Sequence, residues 1–222
     1  MPYPSVPWRR RLSAPLRIVY GILLGAAVLS WAQTRVAAVT EVVTDGDIKR
    51  ALAIANGPEP ARVRFHAPYV ISLNDPTLER LEVITEIRRF VLASEEQLRL
   101  GHWMVARGGY DQQGRTLKEI LEPASARVSL RARVRFHPLN TYIHLPAIDV
   151  LLGEPTLLAL DVARTPILAP ASNDPKSRAV YLGAEIETAF NALSIGDRVL
   201  PVRVMSETQE LGRVDVDFSR LE

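Results

Sequence analysis

The chain has 222 residues, 47% apolar and 23% charged, a mixture that buries a real core. It contains no cysteine, which excludes disulfides, thiolate metal sites, a lipid-modified cysteine and a cysteine nucleophile together. Its pI near 9.1 suits an anionic partner at first sight, but Arg9, Arg10, Arg11 and Arg17 lie in an acid-free stretch before residue 33; without them 23 basic residues face 25 acidic ones, so no nucleic-acid partner is expected.

Residues 1–32 have the order of a membrane-targeting leader. Trp8-Arg9-Arg10-Arg11 is cationic, Ile18 to Ala32 is an uncharged apolar run, and the small residues Ser30 and Ala32 suit cleavage before Gln33. The run falls short of the roughly 20 residues of a comfortable membrane span, so the segment reads as a cleaved signal peptide or as a retained anchor. In both cases the arginines stay in the cytoplasm. The rest is expected to be exported to the periplasm or cell surface, tethered to the inner membrane by 18–32 if uncut. Residues 33–40 form the tether and 41–222 a single globular domain.

In chain order, Thr44 or Asp45 caps a helix to about Asn56, closed by Gly57-Pro58. Residues 61–72 alternate apolar and polar, the period of a half-buried strand. Asn74 or Asp75 then caps a helix over about 76–100, with Pro76 in its first turn and Gly101 as its stop. Such a helix would span nearly 40 Å, about the width of the domain. A glycine-bearing loop over 102–115 precedes a short helix at Leu117–Leu121. From Ala126 onward strands are predicted over 127–137, 141–152, 157–168, 180–190, 199–205 and 212–218, the last two forming a hairpin across 206–210. The fold class expected is α+β: N-terminal helices, one of them long, packed on a mainly antiparallel C-terminal β-sandwich.

One hexapeptide occurs twice, 71 residues apart: Ala61-Arg62-Val63-Arg64-Phe65-His66 and Ala132-Arg133-Val134-Arg135-Phe136-His137. The alternation predicts two strands of one sheet, with Val and Phe inward and Arg and His outward. Glu185 and Glu187 on one strand and Asp215 and Asp217 on another are available as counter-charges. If uncompensated, Arg62, Arg64, His66, Arg133, Arg135 and His137 would form an anion-binding face, the guanidinium forks gripping carboxylate, phosphate or sulfate.

The remaining chemistry is sparse. The histidines His66, His102, His137 and His144 lack metal-ligand spacing, although His137, His144 and Asp149 could converge across a hairpin; no metal or cofactor is expected. Thr44-Asp45-Gly46-Asp47 is a helix cap rather than a calcium loop. Trp103 and Tyr110 flank the glycine loop, where they line a small-molecule pocket or plug a core edge. The expected function is a non-enzymatic envelope domain that binds another envelope protein. The rivals are a periplasmic hydrolase or metal-dependent enzyme using His66, His137 or His144 with a nearby carboxylate, and a binding domain for an anionic ligand of unknown identity.

Overall fold

The computed structural model describes residues 43–73, 75–170 and 180–221. The leader, the tether and the Asn74 half of the predicted cap lie outside the described residues. The first element, α1 (Asp45–Ala55), begins with a capping box: Thr44 Oγ1 accepts from the Asp47 N–H at 3.2 Å, and the Asp47 carboxylate accepts from the Thr44 N–H at 3.0 Å. The first copy of the hexapeptide follows in α2 (Glu59–His66), a helix and not the predicted strand. Gly57-Pro58-Glu59-Pro60 ahead of it favours helix initiation, and Arg64 and His66 fall in its last turn. Only after a turn of 3-10 helix at Ala67–Tyr69 does the chain extend as β1 (Val70–Ser72).

The long helix expected over 76–100 is instead a strand, β2 (Leu78–Ile84), joined through Thr85 to α3 (Glu86–Arg99). Asp75 caps no helix; its carboxylate accepts from the N–H groups of Thr77 and Leu78 at 2.7 and 2.9 Å and turns the chain into the strand. The run Leu81 to Ile84 is buried throughout, as a central strand requires, and the true cap is Thr85, whose hydroxyl accepts from the Arg88 N–H. A short helix, α4 (Trp103–Ala106), occupies part of the predicted 102–115 loop, and α5 (Leu117–Leu121) carries a second capping box, Thr116 with Glu119.

The strands β3 (Arg127–Arg135), β4 (Ile148–Leu152), β5 (Ala159–Leu168), β6 (Tyr181–Asn191), β7 (Val199–Ser206) and β8 (Gln209–Asp217) follow, with a short α6 (Ala192–Ile195) between β6 and β7. The strand expected over 141–152 is thus only its second half; Pro138, Asn140 and Pro146 lie in the irregular chain ahead of it. All pairing is antiparallel, in a five-stranded sheet ordered β1-β2-β3-β6-β5 and a three-stranded sheet ordered β4-β7-β8. The last hairpin is tighter than predicted, since Ser206 pairs with Gln209 across Glu207-Thr208.

One apolar cluster draws on both sheets, including Leu81, Leu130, Ile186, Leu152, Val204 and Phe218. The approach is close at Gly212, where a Cβ would lie 2.8 Å from Leu78 Cδ2. Gly183 meets a similar demand inside the larger sheet, because a Cβ there would run into the Val134 carbonyl. A second cluster joins α1, α3, α4 and α5 through Ala51, Phe90, Val91, Val105 and Leu117, and Phe65 of α2 packs against both clusters. The molecule is therefore mixed α and β, with two antiparallel sheets and a helical layer.

Candidate functional site

The arginines of the second hexapeptide copy stand on the polar face of β3, and their neutralisation is set by register. Arg131 lies opposite Glu187 and Arg133 opposite Glu185, with ion pairs of 2.9 and 3.7 Å. Glu79 of β2 completes the set, 3.1 Å from Arg133 Nε and also paired with Arg135. Asp215 and Asp217 take no part: they belong to β8 in the other sheet, and Asp217 pairs with Arg220 at 2.8 Å. His137 lies just past β3, its Nδ1 accepting from the Leu139 N–H.

The first copy is elsewhere, so the two hexapeptides do not pair. On α2, His66 Nε2 is 3.1 Å from Glu95 of α3, with Arg62 3.9 Å from the same carboxylate, while Arg64 is exposed. Arg88 Nε approaches His66 Nδ1 at 3.5 Å, so both ring nitrogens face protein groups: Nδ1 as acceptor, Nε2 as donor. Arg88 is only 2% exposed and donates to the carbonyls of Val83 and Tyr69 at 2.5 and 3.3 Å and to Glu82 at 2.9 Å, while its guanidinium lies 5.2 Å from the Tyr69 ring centre. Burial pulls the Arg88 guanidinium below its ordinary pKa, Glu82 opposing, and pushes the Tyr69 phenol up. Among the described residues no group of three or more His, Asp or Glu side chains could hold a metal; His137, His144 and Asp149 do not converge, and Asp149 pairs with Arg164.

One of the concave features of the described residues is in the helical layer. A cleft of about 670 Å³ opens between the C-terminal end of α3, α4, the 107–116 loop and α5. Trp103, Met104 and Tyr110 stand on it 57%, 71% and 65% exposed, three large apolar side chains around one cleft. Arg107 lies with its guanidinium 5.8 Å from the Trp103 ring centre, beside a second depression of about 680 Å³ that also holds Arg62, Glu95 and Arg99.

The loop beside the cleft is tightly built. Gly109 N–H donates to the Met104 carbonyl at 2.8 Å, an approach that leaves a Cβ at Gly109 only 2.9 Å from that oxygen; Gly108 and Gly114 adopt φ of +87° and +74°. Asp111 gathers the turn, its carboxylate accepting from the N–H groups of Gln113 and Arg115, both at 2.8 Å, and pairing with the Arg115 guanidinium at 3.0 Å. Hydrogen bonds from the Arg115 and Gln113 backbone and from the Arg115 side chain hold its carboxyl below the ordinary range. The sequence left Trp103 and Tyr110 between lining a pocket and plugging a core edge; both stand exposed on the cleft. The contribution of Gln97, His102, Gln112 and Gln113 was not legible in the sequence, because the predicted long helix left its C-terminal end without a neighbour.

Among the described residues no helix is long and apolar enough to cross a membrane. No protein-family model, curated protein or solved structure matches the chain.

Proposed function

We propose that the chain is an exported envelope protein whose folded part is a non-enzymatic binding module, with the two sheets as a β-sandwich scaffold and the helical layer as the working face. The observation that carries this reading is the exposed Trp103, Met104 and Tyr110 around a cleft whose loop is already tied in place. The chain's other conspicuous chemistry is committed to structure: the β3 arginines face carboxylates in register, and both nitrogens of His66 face protein groups. Export rests on the cationic, apolar and small-residue order of residues 8–32. The ligand is an envelope component, another envelope protein or an envelope polymer.

A phosphatase fused after residue 222, active only outside the cytoplasm, tests export. A photo-crosslinking amino acid at position 104, against one at exposed position 165 on β5, tests the face. Active phosphatase and adducts specific to position 104 are expected; an inactive fusion, or equal labelling at both positions, refutes the proposal.

A further inference from the structure

We propose that the cleft beside Trp103 binds a neutral saccharide, an inference that rests on the binding-module reading and names its ligand class. Three properties of the lining lead to it. First, it offers two exposed aromatic side chains, Trp103 and Tyr110, on which the apolar C–H face of a pyranose ring packs; the Arg107 guanidinium lies over the indole, 5.8 Å from its ring centre.

Second, its net charge is nil. Asp111 and Arg115 are the only carboxylate and guanidinium in the lining, and they neutralise each other at 3.0 Å. A charged ligand held within this lining would lose hydration on entering and find its charges already paired; the Arg107 guanidinium at the Trp103 ring lies outside it, in the adjoining depression.

Third, the rest of the polar lining is made of side chains that both donate and accept, as sugar hydroxyls do. His102 Nδ1 is bound to Gln97 Oε1 at 2.8 Å, which leaves the Gln97 amide N–H groups as donors and His102 Nε2 as an acceptor. Gln113 Oε1 accepts from Arg115, leaving its own amide N–H groups, and the Gln112 amide makes no hydrogen bond among the described residues. At about 670 Å³ the cleft falls within the roughly 300–1,000 Å³ usual for small-molecule sites.

The sequence supplies its own reporter. Of the three tryptophans, Trp8 and Trp31 lie in the leader, so a full-length W8F/W31F chain in a zwitterionic, sugar-free detergent emits from Trp103 alone. Chitotriose, maltotriose and trigalacturonate are titrated against that emission. At least one neutral trisaccharide is expected to give a saturable blue shift with half-saturation at or below about 1 mM, and Tyr110→Ala, a change on an exposed side chain, to weaken it about 3- to 10-fold. Gln112→Ala should also weaken binding, whereas Leu139→Ala, exposed in the loop after β3, should leave it unchanged.

No saturable change with either neutral probe up to about 10 mM, binding of trigalacturonate alone, or affinity indifferent to Tyr110→Ala overturns the assignment. Position-104 crosslinks that persist beside such a negative titration leave the binding module standing and remove only the saccharide.

Discussion

The repeated hexapeptide allows one substitution to be made twice in identical local sequence. Val134 is 1% exposed in β3, between β2 and β6, whereas Val63 is 62% exposed on α2. Val134→Ala deletes two methyl groups, a transfer loss of about 1.6 kcal/mol at about 0.8 kcal/mol per carbon; the cavity left behind brings the total to about 2–3 kcal/mol. Val63→Ala removes little buried area and replaces a β-branched residue by the best helix former, so the change is within about 0.5 kcal/mol and favourable in sign. For a folded part of this size the difference corresponds to a gap in Tm of about 5–10 °C, read by circular dichroism. Equal losses at the two sites would mean that 59–66 is a buried strand after all. Two neutral results would mean that β3 does not lie in the core.

Two further outcomes follow from buried charge. Arg88→Met strips donors from two carbonyls and leaves Glu82 with Arg80 alone, 3.0 Å away; a loss of about 3 kcal/mol is expected by urea denaturation, and the E82Q/R88M pair should lose less than the sum of the singles, so additivity would count against the pair. Burial pushes the Glu86 carboxyl above its ordinary pKa, against the Ala126 N–H bond and Arg89, so the folded state holds that proton more tightly than the unfolded state and this group's contribution declines as pH rises from the ordinary glutamate value through the folded one. Glu86→Gln should therefore stabilise more at pH 7 than at pH 4 in paired thermal melts, and a gain independent of pH refutes the assignment.

The parts of the fold that were legible are those where local chemistry and tertiary packing agree. Of the two caps the sequence offered, Thr44 and Asp45, it is Thr44 that caps the helix, and β3, β5, β6, β7 and β8 fall close to their predicted spans because alternation was backed by turn residues. The pairing of Arg131 and Arg133 with Glu187 and Glu185 was also legible in kind, since alternating charges on facing strands have few other partners. The failures were of period. Leu-Glu-Arg-Leu-Glu-Val-Ile carries good helix formers, yet pairing between β1 and β3 outweighs propensities worth a few tenths of a kcal/mol per residue. Ala-Arg-Val-Arg-Phe-His is helix at 61–66 and largely strand at 132–137, so the six residues do not decide between the two; prolines on one side and sheet neighbours on the other do.

The same helix that was misread in length accounts for the firmness of the cleft. α3 is held near its N-terminal end on two sides: Arg88 reaches the carbonyls and Glu82 of the β1–β2 region, and Arg89 donates to the carbonyls of Ala124 and Arg127 at 2.8 and 3.3 Å and to the Ser129 hydroxyl. Gln97, at the cleft, follows nine residues later, about 14 Å along the axis. Between these points Ser94 is buried and donates to the Ala106 carbonyl at 2.8 Å, which joins α3 to α4 and so to Trp103 and Met104. The exposed aromatic side chain at Trp103 is thus carried on an element fastened to the sheet core. A ligand closing on it would lose little of its binding energy to ordering the backbone, which is the condition under which a small neutral molecule, with no charge pair to draw on, binds measurably.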